Sequence, residues 1–178
     1  MNEYYTNTIE LKLLCDKLKA GDKVYLSGKV YTSRDAAHKR IFELIEKGKP
    51  LPYEIKNSII YYAGPTPTPD NLPIGSCGPT TSSRMDFYAP RLYDMGLTAT
   101  IGKGERNEAV INSIIKNKAV YLCAIGGAGA LAAKSIVSSH IIAFDDLGCE
   151  SVKELVLNDF PLIVGIDCNG GNIFTERF

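Results

Sequence analysis

The sequence predicts a mixed α/β fold in a single domain, and three observations point there. Val- and Tyr-rich or continuously apolar runs of strand length alternate with segments of helical periodicity through the middle of the chain. Hairpin-like pieces flank that region, so a purely parallel sheet is not implied. The length of 178 residues fits one domain, and a hydrophobic share of 45% is enough for a sizeable core.

Asp22 to Thr32, DKVYLSGKVYT, alternates partially and reads as a strand. Ser33 or Asp35 can cap the next segment, where Ala37, Ile41, Leu44 and Ile45 recur at helical spacing until Gly48 and Pro50 stop it. SIIYYA, 58 to 63, is a second strand, and the GPTPTPDNLP that follows is too rich in proline for either regular element. Met85, Tyr88, Leu92 and Met95 predict a helix from about Met85 to Met95. LTATIG is a short strand, GKG a turn and ERNEAVINSIIKNK a helix with Val110, Ile114 and Ile115 on one face. AVYLCAI is a buried strand, GGAGALAAKSI a turn and helix, and SSHIIAFDD another strand. SVKELVLNDF fits a strand or a short helix, and PLIVGIDCNGGNIF reads as a hairpin turning at Asn169, Gly170 and Gly171.

Several function classes drop out early. Lys+Arg and Asp+Glu both count 20, so no basic excess suggests nucleic acid. The N-terminal MNEYYTNTIELKLL has no basic region leading into an apolar run, and no apolar stretch reaches membrane-span length. A cytoplasmic protein without a membrane partner is the expectation. Cys15, Cys77, Cys123, Cys149 and Cys168 are odd in number and scattered, with no C-x-x-C pair, and His38 and His140 lack ligand-spaced partners. Neither a disulfide framework nor a metal site built from this chain alone is expected.

Four segments can carry chemistry, each with a plainer alternative. GSCGPTTSSRMD gathers hydroxyls and backbone N–H groups before a helix, and Arg84 adds a fork for a carboxylate or phosphate. A merely capped helix start fits equally well. Arg34 stands where a strand turns into a helix, with His38 one turn on, and a surface arginine fits too. Lys103 lies between two glycines and can approach a ligand closely, or sit in an exposed turn. Gly127-x-Gly129-x-x-Ala132 follows a strand and precedes a helix, with Asp145 and Asp146 beyond, as in a dinucleotide fingerprint. Little chain remains after it for a Rossmann sheet, and small residues there also serve close packing.

Taken in order, GDKVYLSGKVYTSRDAAHKR, IIYYAGPTPT, GSCGPTTSSRMD, TIGKGE and GGAGALAA closely resemble one family. It is the β subunit, or C-terminal domain, of the iron–sulfur hydro-lyases, class I fumarate hydratase and L-tartrate dehydratase. The likeness runs from about Gly21 to the end. The joint occurrence of TSRDAAH and GPTTSxRMD is its specific part, whereas the glycine motifs alone are common. The resemblance implies a mixed-sheet, swivelling β/β/α three-layer domain. It also implies a four-iron, four-sulfur cluster bound by a partner α subunit and not by this chain, with a homodimer or an α2β2 heteromer as the assembly.

The reaction implied is reversible loss of water from a 2-hydroxy dicarboxylate, (S)-malate to fumarate, with tartrate as the alternative substrate. By the same resemblance Thr80 is the proton-abstracting residue, and Arg34, Arg84 and Lys103 are cationic substrate contacts. Thr81, Ser82 and Ser83 supply surrounding donors, and Asp35 and His38 lie behind Arg34. Ser82-Ser83 departs from the Gly or Ala that many relatives carry before the arginine. A rival of another class remains: a small dinucleotide- or anion-binding module using the Gly127-x-Gly129 turn.

Overall fold

Strand β2 (Lys23–Thr32) is the spine of the fold. The computed structural model describes residues 1–125 and 129–175. On one edge β2 pairs in parallel with β1 (Glu3–Asn7) and, further along, with β3 (Ile59–Tyr61). Strands β4 (Ala99–Gly102) and β5 (Val120–Cys123) extend the parallel set. Strand β7 (Val152–Ile166) then runs antiparallel between β5 and the other edge of β2. The sheet therefore closes as a small barrel-like ring of β2, β3, β4, β5 and β7, with β1 and β6 (Ile136–Ala143) appended.

Closure depends on a bulge. The β2–β7 register shifts between Leu26 and Gly28. Gly28 takes φ +109°, and a Cβ there would stand 2.6 Å from the Thr8 hydroxyl. Only glycine combines that backbone with that approach.

Both faces of the ring are buried, which explains the near-continuous apolar strands. Ile59 and Tyr61 join Val24, Leu26, Ile101, Leu122, Leu155 and Val164 in a cluster inside the ring. Their neighbours Ile60 and Tyr62 point outward into a second cluster. That cluster packs the outside of the ring against α2 (Asp35–Glu46), α3 (Ala89–Asp94) and α4 (Glu108–Lys116) through Ile41, Leu92 and Ile114 among others. The ring is one mixed α/β unit, as its alternating elements predict.

Some expectations change. β1 and the short α1 (Leu11–Leu14) lie in a segment that carries no clear strand or helix signal. The helix expected from Met85 to Met95 is two pieces, a 3-10 turn at Ser82–Met85 and then α3. Pro90 sits in the first turn of α3, where its missing N–H costs nothing, so the helix restarts there. SVKELVLNDF is strand, continuous with PLIVGI as β7. The expected hairpin has a turn but no second strand: Asp167 Oδ1 accepts from Asn169 and Gly171, and Asn172 returns by a single bridge to Ile166. α5 (Gly129–Ala133) precedes β6.

β2, β3, β4 and β5 are parallel, so their carboxyl ends share one rim of the ring. The predicted site residues follow these ends.

Candidate functional site

At the end of β2 the chain turns into α2 through Ser33, Arg34 and Asp35. Arg34 is the N-cap in an extended conformation, with no side-chain cap. Its Nε lies 3.3 Å from Glu150 Oε1, at an angle that leaves that buried N–H without a hydrogen bond. Gly64, just past β3, lets the guanidinium lie flat: a Cβ there would stand 2.6 Å from Arg34 Nη1. One turn into α2, His38 is fully buried. Its Nδ1 lies 2.9 Å from the Arg34 carbonyl, which can only accept, so Nδ1 carries the proton. Ser33 Oγ is 2.8 Å from the same nitrogen, and Nε2 is buried without a partner. Burial pushes the His38 pKa down to about 4, against the upward pull of the Arg34 carbonyl and Asp35.

Two further segments meet at the ends of β3 and β4. Pro79 bridges Ala63, and Thr81 bridges Lys103 in parallel. Thr80 N–H donates to the Tyr62 carbonyl at 2.6 Å and Ser82 N–H to the Lys103 carbonyl at 2.9 Å. The N–H groups expected to await an anion at Thr80 and Ser82 are thus already used by the protein. Ser82 is buried, and its Oγ lies 2.9 Å from Tyr121 Oη, whose hydroxyl reaches the Gly104 carbonyl at 2.9 Å. Gly102 has no room for a Cβ, which would run into Ser82 Oγ. Ser82 therefore holds the two loops together and faces inward, away from the exposed Thr81, Ser83, Arg84 and Lys103.

Arg84 turns back to α2. Its Nη2 lies 2.7 Å from Asp35 Oδ2 and its Nε donates to Oδ1 at 3.1 Å. The two side chains are 49% and 37% exposed, so the pair can open to a ligand at little cost. Lys103 has no carboxylate within ion-pair distance among the described residues. Thr80 is half-buried, and its hydroxyl makes no hydrogen bond among the described residues. The fold thus gathers Arg34, Asp35 and Arg84 at the start of α2, and Thr80, Thr81 and Lys103 between the ends of β3 and β4. His38 lies behind Arg34 and cannot reach a ligand from there.

A cluster that the sequence does not announce sits beneath these loops. Asp86 Oδ1 accepts from Arg106 Nε at 2.6 Å and Oδ2 from the Asn107 N–H at 2.7 Å. Arg106 also donates to Thr100 Oγ1 at 3.1 Å and to Tyr62 Oη at 3.4 Å. Its guanidinium stands 5.4 Å from the Tyr62 ring centre and 5.0 Å from that of Tyr121. Asn107 Oδ1 caps α4 by accepting from Val110 N–H. The only hint in the sequence is an arginine soon after IGKG, and nothing local distinguishes it from a surface charge.

No group of three or more His, Cys, Asp or Glu side chains that could hold a metal exists among the described residues. Cys15, Cys77 and Cys168 are buried apart from the rim, and burial raises the Cys77 thiol to about 12. Gly127 lies outside the described residues. Gly129 packs against the backbone of Gly78, which a Cβ would approach to 2.9 Å, and its carbonyl accepts from the Cys77 N–H. The strand after this turn, β6, pairs with β7 and is not the parallel neighbour of β5 that a dinucleotide fold needs. Asp146 is engaged by Arg40. Gly129 therefore braces the loop leading to Thr80.

The family model "Fumarase C-terminus" matches residues 5–177. A putative L(+)-tartrate dehydratase subunit beta of Methanocaldococcus jannaschii is 40% identical over 180 residues, covering 98% of this chain and 92% of that protein. Fumarate hydratase 2 of Leishmania major is 37% identical over 177 residues, covering 94% of this chain but only 31% of that protein. The anaerobic class I fumarate hydratase of Escherichia coli is 39% identical over 156 residues, 86% of this chain and 28% of that protein. The chain thus spans about a third of the fumarate hydratases it matches and nearly all of the tartrate dehydratase subunit. With its sequence matched almost end to end, this chain belongs to the Fumarase C-terminus family.

Proposed function

We propose that this chain is the β-type part of a hydro-lyase that interconverts a 2-hydroxy dicarboxylate with its unsaturated product and water, (S)-malate and fumarate in the first place. The observation that supports the reading is the rim at the carboxyl ends of β2 to β4, to which Arg34, Arg84 and Lys103 come from separate segments, with Thr80 between the ends of β3 and β4. Three cations suit a doubly charged substrate. In the dehydration direction a proton leaves the carbon beside the hydroxyl-bearing one, and negative charge develops on the adjoining carboxylate. Pre-placed cations stabilise that charge without reorganising. Arg84 and Arg34 orient the carboxylates, and Thr80 takes the proton at its hydroxyl oxygen. A neutral hydroxyl is a weak base, so Thr80 must pass its own proton to another group of the complete site before it accepts one from the substrate, and Lys103, whose backbone is bridged to the neighbouring Thr81, brings a cation into the adjoining loop. Ser83 and Thr81 offer exposed hydroxyls beside them.

Among the described residues no set of ligands for a four-iron, four-sulfur cluster converges. The reading assigns the cluster to a partner α subunit, and leaves carboxylate binding and proton removal to the residues of this chain. Relatives whose names call them a beta subunit support such a partner. The reading also takes the ring as a swivelling β/β/α-type domain that docks on that partner, in a cytoplasmic heteromer such as α2β2. Among the described residues no helix is long and apolar enough to cross a membrane.

L(+)-tartrate is the second substrate to consider. Two matches that cover nearly all of both chains are to tartrate dehydratase beta subunits, one of them named as putative. The test is anaerobic co-expression with the organism's cluster-bearing hydro-lyase chain, followed by parallel assays of malate and tartrate dehydration. Malate turnover dependent on both chains is expected. Turnover of tartrate alone would reassign the substrate, and failure of every reconstituted pair on both would overturn the hydro-lyase reading.

A further inference from the structure

Phe87 is 84% exposed, among the most exposed large apolar side chains of the protein. It follows the 3-10 turn that carries Arg84 and precedes α3. Along these two pieces Ser83, Arg84, Phe87, Arg91 and Asp94 are exposed, while Met85, Ala89, Leu92 and Tyr93 are buried. The outward stripe is therefore Arg–Phe–Arg at intervals of three and four residues, one side of a helical surface.

Each member is held rather than loose. Arg84 is paired to Asp35, the Arg91 guanidinium stands 5.6 Å from the Phe42 ring centre, and Phe87 packs edge-on to Tyr88 at 5.3 Å. Tyr88 in turn leans on His38 and Phe42 of α2. The stripe is thus a rigid extension of the rim, and an aromatic between arginines is the composition that dominates the binding energy of protein interfaces.

We propose that this stripe is the docking surface for the cluster-bearing partner chain, with Phe87 as its anchor. The proposal rests on the hydro-lyase reading above. Two observations select this occupant. The stripe is continuous with Arg84, and the half-site around Arg84 needs the partner chain over it. Its charge also points one way: Arg91 has no carboxylate within ion-pair distance among the described residues and the pairing of Arg84 to Asp35 is half-exposed, whereas the acidic end, Asp94, is bound by Lys116 and Asn117. The matching surface on the partner is an apolar pocket edged by carboxylates.

The experiment measures the affinity of this chain for the hydro-lyase α chain of the same organism, anaerobically, for wild type, Phe87→Glu, Phe87→Ala and Ile9→Glu. Ile9 is 86% exposed, lies just past the end of β1 and serves as the control. Urea unfolding of each variant checks that the fold is kept. Phe87→Glu should weaken association by about thirtyfold or more and Phe87→Ala by about tenfold. Ile9→Glu should change it by less than about threefold, as expected outside an interface. Wild-type affinity in Phe87→Glu would overturn the proposal while leaving the reading intact. Wild-type chains that fail to associate would overturn the reading and the proposal with it. Self-association of the isolated chain that Phe87→Glu abolishes would give the stripe to a second copy instead, and would also overturn the proposal.

Discussion

Asp86 and Arg106 form a buried ion pair, Oδ1 to Nε at 2.6 Å, with side chains 7% and 0% exposed. It joins the loop bearing Thr80 and Arg84 to the loop bearing Lys103, because Asp86 also accepts the Asn107 N–H. A charge buried this way costs solvation, which is recovered only while every partner stays in place. Arg106→Met should therefore leave Asp86 unpaired and cost about 3–5 kcal/mol, read as a fall in the urea midpoint. A double replacement, Asp86→Leu with Arg106→Met, should recover much of that loss, since no unpaired charge remains. Stability equal to wild type in the single variant would show that the pair is not what secures the loops.

His38 gives the protein an acid-sensitive point. Its folded pKa, about 4, lies below the ordinary value of 6.5, mainly because of burial. Between these values the unfolded chain binds a proton that the folded chain refuses, so folding stability falls as pH drops from 6.5 towards 4. The stabilisation is fully present above 6.5, and its loss across the window is about 3 kcal/mol. His38→Gln, neutral at every pH, should flatten the stability curve between pH 4 and 6.5 whatever it costs overall. An equally steep curve in the variant would place the acid sensitivity elsewhere.

How much of the fold and site is legible in the sequence divides by range. The ring strands are readable because SIIYYA, ATIG and VYLC are apolar on both faces, a local pattern. β1 is not, since its exposed and half-buried residues pattern only once β2 lies alongside. The motif residues Arg34, Thr80, Arg84 and Lys103 are readable as a set, and the structure adds their placement on one rim. Ser82 is readable only as a hydroxyl beside an arginine. Its inward turn depends on Tyr121 and Gly102, distant in sequence. Arg106 and Asp86 are opaque for the same reason, because burial of a charge is a long-range fact that composition cannot express.

Gly64 matters through Arg34. A methyl group at Gly64 would lie 2.6 Å from Arg34 Nη1 and 3.3 Å from the Cys149 carbonyl. The arginine is a flexible side chain and can move, but only by leaving its place beside Glu150. Gly64→Ala should therefore cost about 1 kcal/mol or less in stability, while substrate KM in the reconstituted enzyme rises about tenfold. An unchanged KM with normal folding would show that the position of Arg34 is not needed for binding.

Arg84 tests the rim most directly. Its pairing with Asp35 is half-exposed, so the fork can pass from the aspartate to a substrate carboxylate without a large penalty. Arg84→Lys keeps the charge but loses the paired N–H groups that grip a carboxylate. Stability should move by less than about 1 kcal/mol, because only an exposed ion pair is altered. Activity should fall by about thirtyfold in kcat/KM, the equivalent of one charged hydrogen bond worth about 2 kcal/mol. Asp35→Asn should behave differently, since it frees the guanidinium for substrate while removing the residue that holds it near the helix start. Its effect should appear in KM with kcat little changed. Near-normal kinetics in Arg84→Lys would remove the fork from substrate binding and leave Arg34 and Lys103 as the cations that hold the dicarboxylate.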